Sequence, residues 1–436
     1  MKMLILKLYL SCVKTLISLF FCFISLFSFS QKVVCGPLLG ECTDSSAVFW
    51  LMTKNSTDLV LNGSNFGLDF EILPDTNMSK LFKKYKAYKL LFSHPNVSTI
   101  SFSINLSKKK SEDYSYEIKS KNNEFLFGSC GFIADGFAKA YRAWNTTKIY
   151  RSMIKEPADK MIWMGDNLYL MPFYDLKNLK RIYNRYIGVR SNKDLASFLS
   201  SGIKHYATWD DHDFGPNNCE GDFENAHLTT SAFKNFWVNP ISKESFGVSS
   251  VVKNGDVDFF LTDSRTSRSV SNGTYLGEKQ TAQLKRNLKS SKAIFKIIVS
   301  GSQVINPLSD HESYLDFPKE RADLINFIHE ENINGVLFFS GDRHHSEIYS
   351  EKKENYRYDL YDLTCSPLSS PKHNLKFSKF LKTVGDRVDN SLILKKNYGY
   401  GKIILIDNQK ALEITFKSKK GIEISKFIFT QEMLGY

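Results

Sequence analysis

After residue 30 no apolar run reaches the roughly 18 residues that a bilayer-crossing helix needs, which excludes a multispan membrane protein. Proline is sparse, at 11 in 436 residues, and no segment is repeated or low in complexity, so collagenous, linker-rich and solenoid designs fall away. Cysteine is scarce too. Of seven, Cys12 and Cys22 lie in the first thirty residues, leaving Cys35, Cys42, Cys130, Cys219 and Cys365. Five is odd, so at least one thiol stays unpaired within a monomer. Cys35 and Cys42 are near enough in sequence to close a small disulfide loop in an oxidising compartment. An arginine-rich stripe with interleaved aromatics is also missing. The formal net charge of +12 comes from scattered lysines with only short clusters such as KKK at 108–110, which describes a solvated surface better than a nucleic-acid groove. No G-x-S-x-G nucleophile motif occurs, so nothing calls for a covalent serine intermediate.

What is present divides the chain into three parts. Residues 1–30 place lysines at 2, 7 and 14 before an apolar core from Leu16 to Phe29, with small residues Ser28 and Ser30 ahead of Gln31. That layout predicts an export signal cleaved before Gln31, and hence a secreted, periplasmic or cell-surface protein; an uncleaved anchor is the alternative. Residues 31–120 carry short β-type runs separated by turn residues (SAVFWLMT, STISFSINL, DYSYEI) and predict a small antiparallel β-sandwich domain. From 121 to 436 near-continuous apolar runs alternate with amphipathic stretches such as EKQTAQLKRNLKSS, the pattern of an α/β core whose sheet faces are both covered. The run at 398–430 reads as closing strands of that core.

The apolar runs of this third part end in polar residues. EFLFGSC ends in Cys130, and KMIWMGD in Asp166 with Tyr169 close behind. YATWDDHD carries Asp211 and His212, VDFFLTDSR carries Asp263 and Arg265, FKIIVSGSQ carries Ser302 and Gln303, and GVLFFSGDRHH carries Asp342, His344 and His345. Ligands bind outside the carboxyl ends of strands in open α/β sheets. One Asp after a strand is most simply a turn or cap residue. Recurrence over so many strands demands more. Packed carboxylates repel one another unless a cation joins them, so a metal centre is expected. One shared carboxylate between Asp and His donors suits a two-metal hydrolase. Cys130 and Tyr169 would donate as thiolate and phenolate, which favours trivalent iron; carboxylate-rich positions favour calcium or manganese, giving a mixed centre. Taken singly, Tyr169 is more often a half-buried core aromatic and Cys130 more often an inert buried thiol. Arg265 either contacts phosphate or pairs with Asp263 at the surface. Asn217 and Asn218 are either oxygen ligands or a turn after Pro216.

GSC at 128–130, GDNLY at 165–169, WDDHDFGPNN at 209–218, DSR at 263–265 and SGDRHHSE at 340–347, together with GPLLGECTDSSAVFW near the start, resemble the PhoD-type alkaline phosphatases and phosphodiesterases of the calcineurin-like metallophosphoesterase superfamily. The resemblance implies an α/β/β/α sandwich core behind a small N-terminal β-sandwich. It also implies hydrolysis of phosphate mono- or diesters by a metal-bound hydroxide, with Fe3+ and Ca2+ as cofactors and Mn2+ or Zn2+ as substitutes. By position, Cys130 and Tyr169 match iron ligands, Asp166 the bridging carboxylate, Asp211 a ligand of the second metal, and Asp342 and His344 further metal ligands. His212 matches the histidine beside the leaving oxygen, Asp213 the residue that orients it, and His345 either a site residue or a support. The expected partner is a small phosphate ester. A non-catalytic, metal-stabilised surface binding protein and a metal-free carboxylate hydrolase are the competing readings.

Overall fold

The computed structural model describes residues 33–43, 45–54, 60–62, 67–72, 85–93, 98–107, 110–118, 123–134, 147–171, 174–240, 244–306, 312–371, 399–406, 408 and 410–436. The expected export signal at 1–30 lies outside them.

Two large sheets form the body. Their central strands are β8 (Glu124–Gly128), β9 (Lys160–Met164) and β10 (Lys204–Thr208) in one, and β12 (Val257–Leu261), β13 (Phe295–Ser300), β14 (Val336–Ser340) and β16 (Leu360–Thr364) in the other. Within each set the strands run parallel. Antiparallel strands finish the edges: β11 (Ser250–Val252) on β12, β15 (Glu347–Glu351) on β16, and β17 (Gly399–Ile406), β18 (Ala411–Ser418) and β19 (Glu423–Thr430) beyond β8. The parallel strands are buried on both faces, which is why they read as near-continuous apolar runs.

The sheets pack face to face through aromatics. The Phe125 and Phe259 rings lie 5.1 Å apart, and those of Phe127 and Phe339 4.6 Å apart. Helices cover the outer faces. Trp163 and Ala207 pack with residues of α1 (Lys148–Met153), α2 (Leu179–Arg190), α3 (Lys193–Leu199) and, past the short α4 (Asp211–Phe214), α5 (Ala226–Phe236). Leu284 and Leu288 of α6 (Glu278–Ser290) and Leu324 and Ile328 of α7 (Pro318–Glu330) belong to the core of the second sheet. The layers are thus the α/β/β/α order expected.

The N-terminal strands are β1 (Val33–Cys42), β2 (Ser46–Lys54), β3 (Val60–Asn62), β4 (Gly67–Ile72), β5 (Tyr85–Ser93), β6 (Thr99–Ser107) and β7 (Lys110–Glu117). They enclose a core of their own, in which Phe49 contacts Phe92, Phe102 and Tyr116. This unit is less separate than its sequence suggests. β3, β6 and β7 form a sheet apart, but β1 pairs in parallel with β10, so β1, β2, β5 and β4 extend the first large sheet to ten strands. The disulfide considered for Cys35 and Cys42 does not form, because both lie on β1. The paired strand β2 covers the same interval in five residues, Met52 to Ala47, which sets the two cysteines about 17 Å apart, far beyond the roughly 7 Å a bridge tolerates.

Candidate metal centre

The carboxyl ends of the parallel strands open onto one rim, and their loops hold strained backbone. Non-glycine residues with positive φ include Cys130 (58°), Asp166 (55°), Asp342 (64°) and His344 (52°). Left-handed backbone is unfavourable for L-residues and persists only where surroundings enforce it, commonly at functional sites. Gly165 (φ 96°) turns the β9 loop under Asp210, where a Cβ would sit 2.8 Å from the Asp210 Cβ. Only glycine allows that approach.

Asp166 stands at the middle of two donor groups. Cys130, Asp166 and His344 bring one ligand atom each to within 4.8 Å of one another, and so do Asp166, Asp211 and His212. On the first side, Cys130 Sγ lies 3.6 Å from Asp166 Oδ2. The Tyr169 hydroxyl lies 3.1 Å from the same oxygen and 3.2 Å from His344 Nε2. On the second side the His212 ring stacks on Tyr169 with centroids 4.3 Å apart. Asp166 Oδ1, Asp211 Oδ1 and His212 Nδ1 are buried without a hydrogen-bond partner among the described residues. Buried polar atoms are ordinarily satisfied, so these converging lone pairs fit cation binding.

Electrostatics point the same way. Burial, then the charges of Asp211 and Asp210, push the Asp166 carboxyl far above the ordinary carboxylate range. Burial and Asp166 do the same to the Cys130 thiol and the Tyr169 phenol. Such groups ionise together only if positive charge joins them. Burial also acts on Asp211, but His212 and Arg265 outweigh it and draw that carboxyl down to about 2.

Several expected residues take other places. Arg265 is wholly buried, with Nε and Nη2 both 2.5 Å from Asp210 Oδ1, so it neither faces a phosphate nor forms a surface pair with Asp263. Asp263 instead accepts from Trp209 Nε1 at 2.7 Å and from the Val248 backbone at 3.0 Å. Asp213 does not orient His212. Its carboxylate accepts from the backbone N–H of Asn167 (3.1 Å) and Leu168 (2.9 Å), fastening the loop that carries Asp166. The Asp342 carboxylate joins neither donor group; it lies 3.4 Å from Arg343 Nη1, while its backbone carbonyl faces the Cys130 thiol at 3.6 Å. His345 turns away, with Nε2 3.0 Å from the buried Glu347, which makes it a support. Ser302 lies 3.4 Å from Asp210, whereas Gln303 donates to Glu347 at 2.6 Å. Asn218 forms a left-handed turn whose N–H donates to Asp211 Oδ2 at 2.7 Å, and the Asn217 side chain donates to Asn218.

The rim also holds groups that the motifs did not single out. Burial raises Asp210 to about 7 despite Arg265. Burial, Asp342 and Asp211 raise Glu312 to about 9, and its carboxylate lies 3.6 Å from Arg265. A buried arginine needs buried acids, and the doublet Asp210–Asp211 was a usable signal; Glu312 had none. The chain after β16 adds Ser366, Ser369 and Ser370, all fully buried. The run CSPLSS was their only trace, and it resembles an ordinary loop.

With this geometry in hand, comparison with known proteins becomes decisive. A sequence model described as PhoD-like phosphatase matches residues 125–414. The chain belongs to the PhoD-like phosphatase family. As a member it is a metal-dependent hydrolase of phosphoric esters. Its fold is similar to a solved structure of PhoD, at 16% identity and TM-score 0.66 over 90% of this chain and 89% of that one. It is also similar to the purple acid phosphatase PPD1 of yellow lupin (Lupinus luteus), at 11% identity and TM-score 0.61 over 90% and 74% of the two chains. No curated protein matches. The two structures speak for the fold of this PhoD-like chain, and the matched segment contains every residue of both donor groups.

Proposed function

We propose that this PhoD-like chain is an exported phosphoesterase with two cations sharing Asp166, cleaving small phosphate mono- or diesters by direct attack of water. The observation that carries the reading is the membership of Asp166 in both donor groups. Cys130, Tyr169 and His344 would hold one ion together with Asp166, and Asp211 would hold the other, with His212 standing beside it. The anionic sulfur and phenol oxygen favour Fe3+ on the first side, and the carboxylates favour Ca2+ or Mn2+ on the second. When bound, the pair supplies acidified water and charge compensation for phosphoryl oxygens.

The chain's own residues do the rest. His212 is half-buried in the first turn of α4, with its ring fixed by stacking on Tyr169, and can hand a proton to a leaving oxygen. Arg265 acts through Asp210, which underlies the loop of Asp211. Asp213 keeps Asn167 and Leu168, and therefore Asp166, in register. Export is supported by the basic, then apolar, layout of residues 1–30. Among the described residues no helix is long and apolar enough to cross a membrane.

The test combines metal analysis with turnover of p-nitrophenyl phosphate and bis-p-nitrophenyl phosphate at alkaline pH, before and after chelation. Two equivalents of metal and chelator-sensitive hydrolysis are expected. Metal-replete, folded protein inactive on both substrates would favour a non-catalytic binding role. Full activity without metal would remove the two-metal reading.

A further inference from the structure

The chain that follows β16 is stitched to the loop that follows β8. Ser129 N–H donates to the Cys365 carbonyl at 3.1 Å and Leu368 N–H to the Ser129 carbonyl at 2.8 Å. Ser369 and Ser370 N–H both donate to the Cys130 carbonyl, at 3.1 and 3.0 Å. This places three buried hydroxyls beside one donor group. Ser366 Oγ accepts the His344 N–H at 3.0 Å, and Ser369 Oγ donates to the Phe132 carbonyl at 2.8 Å. Ser370 Oγ donates to the Tyr169 hydroxyl oxygen at 2.7 Å while accepting Phe132 N–H at 3.3 Å.

We propose that Ser370 is a positioning residue that tunes the Tyr169 phenolate and, through it, the ion held by Cys130, Tyr169 and His344. The inference rests on the proposed metal centre and goes beyond it. A hydroxyl donating to a phenolate stabilises the anion and lowers the energy of its filled orbitals. In iron sites such hydrogen bonds to ligand atoms are an established means of setting electronic properties. The hydroxyl of Ser370 is fully buried, so bulk water does not replace it when it is removed. Its other hydrogen bond, from Phe132, fixes the rotamer that aims it at the phenol. Ser369, one residue earlier, spends its hydroxyl on a backbone carbonyl and serves as the internal control.

The experiment uses the full chain loaded with Fe3+ and records its visible charge-transfer band, iron content and midpoint potential. In Ser370→Ala the loss of the donor raises the phenolate orbitals towards the iron. The band is expected to move to longer wavelength and the potential to fall, with iron content unchanged. Ser370→Thr, which keeps the hydroxyl, should retain the parental band, and Ser369→Ala should not move it. A folded, fully loaded Ser370→Ala chain with the parental band and potential overturns the role of Ser370 alone. Absence of any visible band from the metal-loaded parent overturns the iron reading and this inference with it. If Ser370→Ala does not fold, Ser370→Cys takes its place. Its thiol is a weaker donor, so an unmoved band there also overturns the proposal.

Discussion

The two flanks of Asp166 are built in opposite ways. On the Cys130 flank the ligands are held by backbone: positive-φ turns at Cys130, Asp166 and His344, and a serine arm stitched to the Cys130 loop. Charge there is all of one sign until a cation arrives. On the Asp211 flank the ligands are held by charge. Arg265 lies against Asp210, 3.9 Å from Asp211 and 3.6 Å from Glu312, and so offsets the acids from within the protein. On the proposed reading, the first flank, rich in anionic donor atoms, would suit a trivalent ion, and the second, partly neutralised in advance, a more weakly held divalent one.

The change expected to break both flanks together is Asp166→Asn. It should remove both metals and lower hydrolysis by more than the roughly 10–100-fold typical of losing a supporting residue. Near-normal turnover with full metal content would refute the shared role. Arg265→Met should act on the charge-held flank. It strands Asp210 as a buried, unpaired acid, and a loss of about 3–5 kcal/mol in denaturant unfolding is expected. An unchanged midpoint would mean Asp210 is protonated without its partner. Tyr169→Phe should act on the backbone-held flank alone. Iron content and visible colour should drop and activity fall on the order of 10–100-fold, while the thermal midpoint of the metal-free protein moves little. Unchanged colour would show that Tyr169 is not a ligand.

A control away from the rim lies at the other end of β9. Lys160 is buried there, and burial followed by the charge of Lys204 draws it down to about 7 from 10.5. Between those values the unfolded chain binds a proton that the folded chain does not, so stability should rise with pH through that window. The gain should disappear as pH falls to about 7. Lys160→Met should flatten this slope without changing metal content. A slope that survives in the variant would assign it to another group.

Much of this was legible because parallel strands buried on both faces announce themselves as apolar runs, and the residue after each run must emerge at the rim. Cys130, Asp166, Tyr169, Asp211, His212 and His344 were found that way, and the structure brings them together. What was not legible depends on contacts between distant segments. Arg265 carried its charge in plain view, but its acceptor, Asp210, sits 55 residues away in a separate loop. Asp213 was placed on its neighbour His212 by adjacency, whereas its oxygens reach back to the β9 loop. The serine arm was hidden because serine in a loop is unremarkable until its partner is known. Cys35 and Cys42 misled because closeness along a chain says little about closeness in space when both residues lie along one strand.

The parallel pairing of β1 with β10 has a consequence for how the N-terminal unit can be treated. Removing residues 33–118 would uncover one side of β10, a fully buried strand that leads straight into Trp209, Asp210 and Asp211. Its freed N–H and C=O groups would offer a template for any other extended chain. The N-terminal strands therefore serve as a fitted border for the catalytic sheet, and trimming them for crystallography or expression invites aggregation at the edge nearest the metal-binding loops.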